Sequence, residues 1–229
     1  THAASLIRGV AARFQQLGME IGGFDAYTTS NVLKGSGLSS SAAFETVVGQ
    51  MLNHLYSGEK ATPVQIAQIG QYAENVYFGK PCGLMDQTAC SVGGFVTIDF
   101  ENPEHPKVEQ VPVDFATAGY KLCIVDTGGN HSDLTGDYAS IPVEMKSVAG
   151  FFGKEVLRQV PQEDFLSKVA QLREQCGDRA VLRAFHFYAD NDRVPKQVAA
   201  LGDRDFQRFK ELVIESGNSS FEYLQNVYT

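Results

Sequence analysis

Gly35-Ser36-Gly37-Leu38-Ser39-Ser40-Ser41-Ala42 separates a run of strand formers from a long apolar helical pattern, and the reading of this junction decides the fold. Two glycines let a backbone turn tightly and approach a polyanion without interference from a Cβ atom. The helix that follows offers unpaired N–H groups and the positive end of its dipole, so phosphate oxygens are the natural occupants of its first turn. The three serines add hydroxyls that can donate to phosphate or ligate Mg²⁺. The Gly-Lys-Ser/Thr ending of a Walker loop is missing. A serine-capped helix behind a Gly-Ser turn accounts for the loop equally well by itself.

Upstream, residues 24–33 alternate in character and are rich in β-formers, which predicts a strand. Leu6, Val10, Phe14 and Leu17 recur at helical intervals and stop at Gly18, predicting a helix over 4–17. Downstream, the spacing predicts helices from about Ser39 to Tyr56, from Thr62-Pro63 toward Gly79, and over 86–91. Residues 94–100 and 108–113 read as two strands around a turn, and 120–126 as a third. Beyond a polar loop the pattern turns helical, with segments near 142–153, 163–175, 178–190, 194–201, 203–215 and 219–228. This shift places a domain boundary near residue 118, dividing the chain into 1–118 and 119–229. The pattern by itself establishes a mixed α and β class. Phe185, Phe187 and Tyr188 read as helix-packing residues.

Composition removes whole classes of function. With 43% hydrophobic and 20% charged residues over 229 positions, the chain can bury a core, and no apolar run is long enough to span a bilayer. A net charge of -8 with dispersed Lys and Arg opposes binding along a nucleic-acid backbone. It does not oppose a nucleotide whose phosphates are neutralised locally. Cys82, Cys90, Cys123 and Cys176 lack metal-ligand spacing and read as reduced thiols of a cytoplasmic protein, with a single Cys82–Cys90 bridge as the alternative.

Two carboxylates follow the loop. Glu74 lies late in the helix that starts at Thr62, and Asp86 follows in Gly79-Lys80-Pro81-Cys82-Gly83-Leu84-Met85-Asp86-Gln87. Phosphoryl transfer needs a cation across the phosphates and a group that takes the nucleophile's proton, which suits Glu74 to the first task and Asp86 to the second. Singly, a solvated helix residue and a helix N-cap explain them as well.

Taken in order, these segments resemble the galactokinase, homoserine kinase, mevalonate kinase and phosphomevalonate kinase superfamily, and within it the galactokinases. The second superfamily motif matches Gly35–Ala42 in its three-serine form, and 78–87 resembles the segment carrying the catalytic aspartate. Asn130-His131-Ser132 with Tyr138 matches a sugar-contacting region, and His131 reads as a loop-ordering residue rather than an acid or base.

The resemblance implies an α+β, two-domain small-molecule-kinase fold. Its N-terminal part has a mixed sheet with helices, and its helix-rich C-terminal part has a small antiparallel sheet. It implies ATP-dependent phosphorylation of galactose at the anomeric hydroxyl. Asp86 is then the proton acceptor, and Gly35, Ser36, Gly37, Leu38, Ser39, Ser40, Ser41 and Ala42 bind the ATP phosphates. Ser41 and Glu74 hold Mg²⁺, and Gly83, Asp86 and Tyr138 contact the sugar. A kinase for N-acetylgalactosamine or arabinose, and a non-catalytic galactose- and ATP-binding regulator, are the alternatives. The family's first motif, with its arginine and Gly-Glu-His-Thr-Asp-Tyr run, and its third, glycine-rich motif have no match here. The expectation is a central fragment with little or no kinase activity alone, self-associating through a sheet edge that missing strands leave exposed.

Overall fold

The computed structural model describes residues 2–32, 37–125 and 135–227. Its described residues form an α+β chain, helix-rich with one two-stranded antiparallel sheet. Its described residues form two compact units, one of residues 2–96 and 122–125 and the other of 97–121 and 135–227.

The first unit contains α1 (Ala3–Gln16), α2 (Ser40–Tyr56), α3 (Pro63–Tyr72) and α4 (Met85–Val92). Its core joins Val10 and Phe14 of α1, Val48 and Leu52 of α2, and Ile66 and Ile69 of α3, the residues whose helical spacing predicts these elements. α3 opens with a full capping box: Thr62 accepts from the Gln65 N–H while the Gln65 side chain accepts from the Thr62 N–H, and Pro63 fills the first turn. α3 then widens into a π-helical turn, Ala73–Phe78, which Gly79 ends at φ 78°. Gly9 of α1 lies flat against Ala73, where an added Cβ would come within 2.7 Å of backbone.

Strands β1 (Phe95–Asp99) and β2 (Lys107–Val111) form the sheet, close to the expected hairpin. The second unit's helices are α5 (Thr135–Phe151), α6 (Gln162–Ser167), α7 (Val169–Cys176), α8 (Asp178–Gly202) and α9 (Phe206–Ser219). A π-helical turn, Ser220–Leu224, follows α9. The core of this unit joins Val148, Leu157, Phe165, Leu172, Val181, Ala184 and Tyr188, with Phe185 and Phe187 packed against it.

Three expectations are corrected. Residues 24–32 form no strand, because a strand exists only through ladder partners and the described residues supply none. The stretch before them is fixed instead by side chains at the end of α2: the Tyr56 hydroxyl donates to the Gly23 carbonyl and the Ser57 hydroxyl to the Glu20 carbonyl. Residues 120–125 likewise form no strand, and the Tyr120 ring packs on Phe206 of α9, 5.2 Å between centroids. Finally, 178–190 and 194–201 are one helix, α8, which continues through Pro195. Proline removes one helical hydrogen bond there, and burial of Ala200 and Leu201 beyond it keeps the last turns seated. All four cysteines are free thiols, so the Cys82–Cys90 bridge is absent.

Candidate functional site

Of the glycine-serine loop, residues 37–42 are described, and Gly35 and Ser36 lie outside the described residues. Gly37 takes φ 74°, a conformation that favours glycine. Ser39 precedes α2 in the left-handed region, at φ 54° and ψ 50°, which costs a non-glycine residue about 1 kcal/mol. It makes no side-chain cap on α2. Its hydroxyl instead donates to Asp86 Oδ2 at 2.6 Å. The serine-cap alternative therefore fails: a strained turn spends its hydroxyl on a carboxylate and leaves the first turn of α2 uncapped by that side chain.

Asp86 does not cap α4 either. The N-cap is Leu84, and Asp86 sits in the first turn with its carboxylate turned toward Ser39. The connection that carries it there is held by two amides of the preceding helical stretch. Asn75 Oδ1 accepts from the Cys82 N–H at 2.7 Å, and Gln71 Nε2 donates to the Cys82 carbonyl at 3.3 Å. Gly83 follows, exposed, and a Cβ added to it would meet open space.

Glu74 is not a solvated helix residue: it is 2% exposed. Its Oε1 accepts from the Ser41 hydroxyl at 3.0 Å and from Lys80 Nζ at 3.3 Å, and its Oε2 accepts from Gln87 Nε2 at 3.0 Å. Ser41 is one turn before Glu45 on the buried side of α2, so a second acid enters the cluster. Glu45 is fully buried, and its Oε2 lies 3.4 Å from the same Gln87 Nε2. Among the described residues, Glu45 Oε1 and Gln87 Oε1 are the buried side-chain polar atoms without a partner. Burial, then the charge of Glu74, pushes the Glu45 carboxyl up to about 8, so it is largely neutral at pH 7. Burial and the same carboxylate push the Cys82 thiol up to about 12 and keep it unreactive.

The structure thus brings Ser39, Ser41, Glu74 and Asp86 together at the start of α2. Leu38 and Ser40 lie beside them in the chain, and Ala42 is buried beneath the turn. Tyr138 stands in the second unit, on the first turn of α5, with its side chain exposed. Asn130, His131 and Ser132 lie outside the described residues. Glu45 and Asn75 lie outside the motifs, and Gln87, though inside the 78–87 segment, is given no role by it. One signal was available for Glu45: it occupies a core-facing position of α2 between Ala42 and Val48, where an acid is costly unless it is used.

Comparison with known proteins adds an independent line. Residues 5–94 match the model of the GHMP kinases N terminal domain, a span that contains every residue of this cluster. A galactokinase of Streptomyces coelicolor is 34% identical over 211 residues, 90% of this chain and 53% of that protein. One of Glaesserella parasuis is 37% identical over 220 residues, 93% of this chain and 54% of its own length. The chain therefore spans about half the length of the curated relatives it matches. In fold it is similar to the crystal structure of Lactococcus lactis galactokinase complexed with galactose, at a TM-score of 0.70 and 21% identity, covering 96% of this chain and 56% of that one. Over residues 5–94 the chain is thus similar to the GHMP kinases N terminal domain, and along nine-tenths of its length it is similar to galactokinases.

Proposed function

We propose that the protein transfers the γ-phosphoryl group of ATP to the anomeric hydroxyl of galactose, with the cluster at the start of α2 as its reacting centre. The observation that carries this reading is the 2.6 Å hydrogen bond from Ser39 to Asp86, which ties a carboxylate to the turn where a polyanion would rest. The galactokinase relatives support the choice of sugar.

In this mechanism the ATP phosphates lie along residues 35–42, on backbone N–H groups of the loop and of the first turn of α2. Ser39 fixes one oxygen of Asp86, and Oδ1 takes the proton of the sugar hydroxyl as that oxygen attacks the γ-phosphorus. The new O–P bond forms as the bond to the β-phosphate bridging oxygen breaks. ADP departs, and the proton passes from Asp86 to solvent. Gly83, three residues before Asp86, would contact the sugar.

Magnesium is the implied cation, and the residues present fit it. Ser41 Oγ and Glu74 Oε1, 3.0 Å apart, are hard oxygen donors. Mg²⁺ commonly takes one or two protein ligands and completes its shell with phosphate and water. When bound it neutralises charge on the β- and γ-phosphates. Lys80, paired with Glu74 through an exposed ammonium, is free to release that oxygen.

The same reading includes a boundary between two domains near residue 118, a cytoplasmic location, and self-association through an exposed sheet edge. Among the described residues no helix is long and apolar enough to cross a membrane.

The test is galactose-dependent ADP release by the longest reading frame that contains this sequence, with the product's phosphate position assigned by ³¹P NMR. Galactose 1-phosphate is the expected product. Preference for N-acetylgalactosamine or arabinose would refute the sugar assignment. Binding of ATP and galactose without turnover would refute the catalytic one.

A further inference from the structure

Gln87 directly follows the carboxylate assigned to proton transfer, yet it faces a different side of α4. Successive helical residues point about 100° apart, so while Asp86 reaches outward to Ser39, Gln87 is 1% exposed and reaches into the acid cluster. Its single amide nitrogen contacts Glu74 Oε2 at 3.0 Å, Glu45 Oε2 at 3.4 Å and Cys82 Sγ at 3.4 Å. Its oxygen, buried, has no partner. An amide whose nitrogen is surrounded by acceptors while its oxygen goes unsatisfied is held at a cost, and the acceptor it serves at shortest distance is Glu74.

Glu74 itself would not hold a fixed direction without that donor. It sits on a π-helical turn, beside a second acid that crowds it from the interior, and its other oxygen is engaged by Ser41 and by a mostly exposed lysine. We propose that Gln87 is a positioning residue that holds Glu74 with Oε1 turned to Ser41, so that the cation site is preformed and set at a constant distance from Asp86 on the same turn of α4. This rests on the kinase reading above, because it assigns the Ser41–Glu74 pair to a cation. Leucine or methionine would fill the space without a donor. A glutamate would add a third acid to the cluster. An amide of this length brings its NH2 group within reach of both buried acids.

The experiment uses the complete gene product, its Gln87→Met variant and its Gln87→Asn variant, in which the amide is one methylene short of both acids. Mn²⁺ replaces Mg²⁺ as a spectroscopic probe, and its binding in the presence of a non-hydrolysable ATP analogue is followed by electron paramagnetic resonance. Half-saturation by Mg²⁺ in turnover is measured in parallel. The expected result for Gln87→Met is at least a tenfold rise in both metal constants. Binding of the metal-free nucleotide, the KM for galactose and the melting transition should stay close to those of the parent. If Gln87→Met loses its cooperative melt, Gln87→Asn is judged by the same criterion. A folded variant with the parent's metal affinity overturns the positioning role and leaves the kinase reading standing. A parent that binds no Mn²⁺ with the nucleotide analogue overturns the Ser41–Glu74 cation assignment, and the role of Gln87 with it.

Discussion

Replacing Glu45 by glutamine should change how stability depends on pH, and the direction follows from its surroundings. The side chain is fully buried, one of its oxygens has no partner, and its nearest charged neighbour is the carboxylate of Glu74. Burial and that neighbour raise its pKa from 4.5 to about 8 in the folded chain. Between these two values the unfolded chain has lost the proton and the folded chain still holds it. Stability is therefore full below about 4.5 and declines as pH rises toward about 8. The slope approaches about 1.4 kcal/mol per pH unit, and the whole window amounts to roughly 3–5 kcal/mol. Glu45→Gln keeps the shape and removes the ionisation. Urea unfolding of parent and variant at half-unit steps from pH 4.5 to 8.5 measures the difference. The variant should gain on the parent steadily with pH and be the more stable of the two at the alkaline end. A difference that stays constant across the range would refute the assignment of a neutral, buried Glu45.

Three further outcomes follow from single contacts. Asp86→Asn keeps an acceptor for the Ser39 hydroxyl but cannot take a proton, so turnover by the complete gene product should fall about 10²–10⁴-fold with nucleotide binding unchanged, as read by steady-state kinetics and calorimetry. Asn53→Ala removes a buried amide that donates to the Ala61 carbonyl and accepts from the Ala61 N–H, both at 3.0 Å; two stranded backbone groups should cost roughly 3 kcal/mol in urea unfolding. Arg183→Met breaks a guanidinium, 3% exposed, away from Glu144, Ser140 and the Leu224 carbonyl, and should cost about 3 kcal/mol by the same measurement.

How much of this site was legible beforehand varies with the range of the interaction. The junction at residues 35–42 was readable because its meaning is local: glycine permits the turn, and a helix start presents N–H groups wherever it occurs. Asp86 and Glu74 were readable as candidates only by their order along the chain, since either could have been a solvated carboxylate or a cap. Their selection came from α3 and α4 packing side by side on α2, which buries Glu74 and points Asp86 at Ser39. Glu45 lay outside every motif, and Gln87, though inside the 78–87 segment, was given no role by it. Their roles exist only because three elements bring two acids and an amide into one dry space.

The same division explains the strands. Composition at 24–32 and 120–125 speaks for a pleated, half-buried backbone, yet a ladder needs a second chain segment at hydrogen-bonding distance, and none lies there among the described residues. Helices need no such partner, since their hydrogen bonds close within four residues, and α1, α2 and α3 therefore begin and end close to where periodicity and caps place them. Local chemistry alone determined the helices and the turn at Gly37. Tertiary packing decided which carboxylates lost their water, which one kept its proton, and which hydroxyl each of the others faces, because charge and burial depend on neighbours far away along the chain.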